Sequence, residues 1–341
     1  MGYLAKMTIL TGLLLASATT AWAEFRLTPG VELRQEYDDN IYLEADDEED
    51  DFITTVTPSL LMAWESPRID LSLSARINFQ KYYDHTDEDR IGPGEADQGS
   101  TFNALVKVYP EVLFLRVTDS YQRVPIDEGD RGGEGNNVVN LTDSNRLAIN
   151  PYLQFEPMSD LQVKLGYTYE NLWYGQESSD NPEEDDDNQG DDSESHIYNL
   201  TLTKALSSTV TLTLDGEHLE YRPKNPEDTY VGGEDGTYEY DRDSVRGGLS
   251  YQASKRLTLK GGYGHAWVDY EFGYDEDSAV WDVSADYEFS DTMKAGVAFS
   301  SDYTVTVEDG PSERTMYSAY VAYDKRIKLR ASAFINTDEY V

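Results

Sequence analysis

Four histidines and a large surplus of carboxylates are the side chains here that could do acid–base or metal chemistry. The chain of 341 residues carries 66 acidic and 27 basic residues, 4 histidines and no cysteine. The missing cysteine excludes disulfides, thiolate nucleophiles and thiolate metal sites. His85, His196, His218 and His265 stand singly near predicted strand ends or loops, with no H-E-x-x-H pair and no G-x-S-x-G elbow in the sequence. Surface histidines among many acids are the simpler reading, and no catalysis is expected. Asp185 to Gly190 opens like an EF-hand loop, but Gln189 replaces a ligand and His196 stands where the bidentate Glu belongs. Asp185, Asp187 and Asp191 remain weak candidates for loosely held Ca²⁺ or Mg²⁺, with a solvated loop as the alternative. No other cofactor is expected. A formal net charge of -39 argues against nucleic-acid partners, which need Lys and Arg to displace counterions.

The elements that must position any site are strands. From Arg68 to Tyr83, Ile69, Leu71, Leu73, Ala75, Ile77 and Phe79 fall in one phase; Arg68, Asp70, Ser72, Ser74, Arg76, Asn78 and Gln80 fall in the other. This is a strand with one apolar and one polar face. It is as long as the ~9–11 tilted residues that cross a bilayer. The same pattern predicts fifteen strands, at 25–37, 52–64, 68–83, 101–109, 112–122, 145–155, 161–173, 196–204, 209–221, 244–253, 257–270, 278–289, 293–303, 315–323 and 327–335. Connections after even strands are short. Those after odd strands read as long and acidic, such as Glu44 to Asp51. Short periplasmic turns and long outer loops are the pattern of an outer-membrane β-barrel. Tyr83, Tyr121, Tyr169, Trp173, Tyr198, Tyr263 and Trp267 cluster at one end of the strands. Trp64, Tyr109, Phe155, Tyr251, Phe289 and Tyr323 cluster at the other, as two interfacial girdles would. Pro29, Pro58 and Pro151 lie inside strands, against the rule that proline removes a ladder donor.

Lys6, the apolar run from Met7 to Ala16 and Ala21-Trp22-Ala23 read as a secretory signal spanning 1–23, cleaved near Ala23. The expected fold is all-β: a transmembrane antiparallel up-and-down β-barrel of about sixteen strands occupying 24–341, in the Gram-negative outer membrane. Fifteen strands are present, and barrels of this class usually have an even count. The expectation is that the given chain lacks a closing strand; a miscount is the alternative.

Three stretches carry a family likeness: Glu36 to Leu43 (EYDDNIYL), Asp119 to Pro157, which includes NPYL, and Leu165 to Tyr174 (LGYTYENLWY). With these, the chain resembles outer-membrane, porin-like β-barrel proteins associated with PEP-CTERM/exosortase and exopolysaccharide loci. The resemblance implies location and context more than mechanism.

Basic residues on the polar strand positions are the most informative candidates. Lys107, Arg116, Lys164, Lys260, Lys294, Lys328 and Arg330 fall near the periplasmic half and Arg76 nearer mid-depth, with Asp70, Glu156, Asp286 and Glu288 in the same region. They would either draw in anionic solutes or pair with carboxylates and fill the barrel. The expected function is a channel or accessory pore tied to exopolysaccharide export or surface-polymer assembly. The alternative is a non-conducting barrel whose acidic loops bind cations or surface polysaccharide. Expected partners are outer-membrane lipid and lipopolysaccharide, with polysaccharide and periplasmic export components beside them.

Overall fold

The computed structural model describes residues 24–42, 49–94, 99–125, 141–175, 192–224, 239–271, 275–306, 310–324 and 328–340. The predicted signal segment lies outside them. The strands are β1 (Glu24–Asp38), β2 (Asp51–Glu65), β3 (Ile69–Arg76), β4 (Asn78–Tyr82), β5 (Arg90–Gly92), β6 (Ser100–Tyr109), β7 (Leu113–Pro125), β8 (Leu141–Met158), β9 (Leu161–Tyr174), β10 (Ser193–Ala205), β11 (Val210–Pro223), β12 (Tyr240–Ser254), β13 (Leu257–Tyr270), β14 (Asp275–Ser290), β15 (Met293–Thr306), β16 (Gly310–Asp324) and β17 (Lys328–Tyr340). All pairings are antiparallel and follow chain order, β1 to β2 and onward to β17, in one up-and-down sheet. β3 and β4 form one traverse, and β5 with β6 forms another, so seventeen segments make fifteen traverses.

Alternation sorts the side chains as expected. Phe25, Leu27, Val31 and Leu33 are exposed on one face of β1 at 52–75%. The same face exposes Leu165, Leu200, Leu214, Leu249, Tyr263 and Val283 on later strands. A band of exposed large apolar groups on this scale marks a surface that lipid or a partner covers. Both expected girdles lie on this face. Tyr109 reaches it because the ladder shifts between Lys107 and Tyr109, pairing Tyr109 with Leu113.

The short turns share a device. The Ser66 Oγ accepts the Ile69 N–H, the Ser207 Oγ accepts the Thr209 and Val210 N–H groups, and the Ser254 Oγ accepts those of Arg256 and Leu257. Serine at the start of a two- to four-residue turn satisfies donors that the ladder leaves behind.

Two outer connections differ from the expectation of long loops. β13 and β14 are joined by residues 271–274, and β15 and β16 by 307–309. The ladder continues to Asp269–Asp275 and Thr306–Gly310, past the apolar residues. Hydrophobic alternation marks the buried part of a strand, whereas backbone pairing needs no apolar side chain, so the hairpins outrun the pattern.

The prolines are accommodated by their partners. Ile77 donates to the Pro58 carbonyl at 3.5 Å, and Pro58 has no N–H to return. The traverse divides into β3 and β4 at that residue. Bonding sides alternate along an antiparallel strand, so Pro29, opposite Leu60, turns its missing N–H away from β2. At Pro151 the β8–β9 ladder skips two positions while its register stays unchanged, from Ile149–Tyr169 to Tyr152–Gly166. The Tyr167 carbonyl that residue 151 would have served instead accepts the Asn150 Nδ2 at 2.8 Å; the same amide also donates to the Thr168 Oγ1 at 2.9 Å. Asn150 thus replaces the donor that its neighbour lacks.

Asn150→Ala is expected to lower stability by about 1–3 kcal/mol, the usual penalty for an unsatisfied buried carbonyl. In a Pro151→Ala background, which restores an N–H, the same change should cost clearly less. Urea unfolding of the two single variants and the double variant measures that coupling; additive effects would refute the substitution of one donor for the other.

Candidate functional site

The polar face carries the candidate groups. Register places Arg76, Lys107, Arg116, Lys164, Lys260 and Lys294 on it, with the backbone positions of Lys328 and Arg330 in the same phase. Their environments differ. Lys107 is paired with Asp70 at 2.9 Å, as the filling alternative required. Arg76 is half-buried, and Lys260 and Lys294 are exposed; among the described residues none of the three makes an ion pair. Arg116 and Lys164 converge on one aromatic ring: the Lys164 Nζ is 4.7 Å and the Arg116 Cζ 6.0 Å from the centroid of Tyr152.

Other cations of this face are matched. Arg146 meets Glu170 at 2.7 Å and Arg242 meets Glu217 at 2.7 Å. Arg246 on β12 pairs with Asp282 on β14, spanning the intervening strand β13. Gly262 of β13 leaves the path open: a methyl there would collide with the Asp282 Oδ1 and the Arg246 Nε. The device recurs where the Tyr320 hydroxyl on β16 donates to Asp286 on β14 at 2.7 Å. Gly296 on β15 lies between them, and its Cβ would come within 2.6 Å of the Asp286 Oδ1. Glycine on the middle strand lets polar groups two strands apart meet.

Toward the outer end much of this face is packed away from water, with Arg146 an exposed exception. Tyr82, Tyr174, Tyr240, Val268 and Tyr270 are each no more than 7% exposed. Tyr240 stacks with Tyr221 at 5.0 Å and lies 5.8 Å from Tyr270, across β11, β12 and β13. The cations near the inner turns remain accessible, so the two ends of the polar face differ in character.

The first two outer connections fold against each other around Asp51. Its buried carboxylate accepts the backbone N–H groups of Tyr83, Asp84 and His85 at 3.0, 3.1 and 2.9 Å, and lies 3.1 Å from the His85 Nδ1. The His85 Nε2 reaches Glu49 at 2.7 Å. Hydrogen bonds from His85 to Glu49 and Asp51 hold its pKa above the ordinary value. Lys81 holds the Asp89 carboxyl below its usual range, and burial beside Glu88 pushes the Tyr42 hydroxyl up to about 12. Above β6, Arg90 of β5 pairs with Asp143 of β8; the Tyr121 hydroxyl donates to the same carboxylate at 3.0 Å, and Arg123 N–H bonds the Gly94 carbonyl at 2.9 Å. These contacts fill the wall where β6 stops short.

The other histidines lie on the apolar face. The His196 Nδ1 is 2.7 Å from the Tyr167 hydroxyl. Tyr198 packs against both Tyr167 and His218, whose Nδ1 is 2.9 Å from Asp243. His265 packs on Trp267 and meets Asp277 at 2.9 Å. They share no catalytic cleft among the described residues, and no cluster there has the makings of a metal site. Asp185, Asp187 and Asp191 lie outside the described residues.

Sequence reasoning overlooked Tyr152, Phe114, Asn150, Arg242 and Arg246. Their polar-face phase was available from strand alternation; their partners depend on cross-strand register.

No protein-family model matches the chain, and no curated protein matches it. Among solved structures, OpdK of Pseudomonas aeruginosa, crystallised with vanillate, is 10% identical over 94% of this chain and 94% of its own, with a TM-score of 0.43. The anion-selective porin from Comamonas acidovorans is 11% identical over 93% and 90%, with a TM-score of 0.41. The FrpB iron transporter from Neisseria meningitidis is 12% identical over 95% of this chain and 56% of its own, with a TM-score of 0.49.

Two outcomes are expected. Because the His85 pKa is raised on folding, the clamp's contribution is fully present below the ordinary histidine value of about 6.5 and is lost as pH rises through the raised value. Amide exchange at Tyr83, Asp84 and His85 should therefore quicken with rising pH beyond the intrinsic base catalysis of exchange. His85→Gln should remove that excess; an unchanged profile in the variant would discard the clamp. Separately, Gly262→Ala should cost about 1–3 kcal/mol in urea unfolding through overpacking against Arg246 and Asp282. A cost below that range would mean the ion pair can shift aside.

Proposed function

We propose that this chain forms an outer-membrane β-barrel whose polar, partly basic lumen passes solutes, as a channel or accessory pore of exopolysaccharide export or surface-polymer assembly. The observation that carries the channel reading is the pairing of an exposed apolar face with a polar face that keeps accessible cations near the inner turns which, among the described residues, form no ion pair. In a chain with 66 acids and 27 bases, pairing would be the default. Such cations raise the local anion concentration and ease anion entry. The polysaccharide context rests on the resemblance carried by the Asp119 to Pro157 stretch and its neighbours.

One observation favours the non-conducting alternative, a scaffold whose acidic outer loops bind cations or surface polymer. Burial of Tyr82, Tyr174, Tyr240 and Tyr270 is what an occluded outer mouth would show.

Planar-bilayer recording of the refolded full-length protein decides between them. The channel reading expects steady conductance and a reversal potential on the anion side under a KCl gradient. Lys260→Glu with Lys294→Glu should move that potential toward cations. A folded barrel that never conducts would favour the scaffold.

A further inference from the structure

Arg116 on β7, Tyr152 on β8 and Lys164 on β9 come from three consecutive strands, each close to an inner turn. Phe114, opposite Tyr152 in the register, stacks on its ring at 4.9 Å and 10°. That stack holds the ring in place, leaving it 7% exposed. Lys164 and Arg116 then take their positions over the ring at 4.7 and 6.0 Å. The electron-rich face attracts both cations and gathers two like charges, without neutralising either.

Among the described residues no carboxylate forms an ion pair with either cation, Glu156 included, which lies two residues along β8 from Gln154, the cross-strand neighbour of Lys164. Asp70 is engaged by Lys107, and Glu170 by Arg146. Among the described residues neither Arg116 nor Lys164 makes an ion pair, although Arg116 is exposed and Lys164 half-exposed. The amide nitrogen of Asn150, opposite Arg116, is committed to Tyr167 and Thr168. Two cations held together, reachable by water and without an ion-paired acid among the described residues, form a receptor for an oxyanion. Arg offers a planar fork to two oxygens, and Lys a mobile point charge.

We propose that Arg116 and Lys164, positioned by Tyr152, form a two-point binding site for the oxyanion of a solute, a sugar carboxylate or a phosphate, at the periplasmic end of the lumen. The proposal rests on the channel reading for its location in a solute path, but binding can be read without conduction.

The test is equilibrium titration of the detergent-folded full-length protein with galacturonate, inorganic phosphate and uncharged galactose, run beside the bilayer recording. Saturable binding of galacturonate or phosphate, but not of galactose, is expected. The stronger ligand of the two identifies the source of the oxyanion. Arg116→Ala and Lys164→Ala should each weaken binding by about tenfold or more, the range for a lost charged hydrogen bond. Lys255→Ala, in an inner turn, should leave it unchanged. Tyr152→Leu, keeping both cations, should weaken it less than either deletion; circular dichroism confirms that each variant folds. Equal binding of galactose, or undiminished binding in folded Arg116→Ala/Lys164→Ala protein, would overturn the site. Conductance without saturable binding would overturn it while leaving the channel. Saturable binding that needs both cations, in a barrel that never conducts, would uphold the site and remove the channel.

Discussion

The constraint on which this structure depends is that backbone N–H and C=O groups facing a neighbouring strand must find their partners there. Where lipid covers an apolar face it offers no water, and an unpaired polar group in hydrocarbon costs several kcal/mol. Each irregularity in the ladder meets that demand. Asn150 serves the carbonyl that Pro151 cannot. β5 and Gly94 extend the wall above the short β6. Turn serines take up the donors at the ends of hairpins. A soluble sheet could leave such groups to solvent.

The polar face obeys a second rule, local charge matching with selective exceptions. Arg146, Arg242 and Arg246 are each given a carboxylate, and the last reaches across a strand cleared by Gly262. Arg116 and Lys164 are given an aromatic ring instead. A matched pair adds little net charge to its surroundings, whereas an unmatched cation projects a field. Arg116 and Lys164 therefore add positive charge to the inner end of a chain whose formal net charge is -39.

The outer end works differently. Its polar face packs tyrosines with small polar side chains such as Thr142, Ser144, Ser193 and Ser195, and its first two connections are tied together through Asp51 and His85. The histidines are distributed between this clamp and the aromatic girdle. Tyr, Trp and His suit an interface because each has an apolar body and a polar tip.

The sequence by itself determined the strands, their two faces, the short inner turns and the girdles. Alternation with period 2 is a local property, and each residue from Ile69 to Gln80 declares its face without reference to any other strand. It placed Arg116 and Lys164 on the polar face for the same reason. Only the tertiary structure decided which cation meets an acid. Lys107 finds Asp70 because β3 and β6 align Asp70 with Leu105, and Arg246 finds Asp282 because β13 carries glycine between them. It also resolved the prolines, since a missing donor matters only on the side where a neighbour's carbonyl waits. Register is a relation between strands far apart in the chain, fixed by the whole ladder, and no short stretch of residues encodes it.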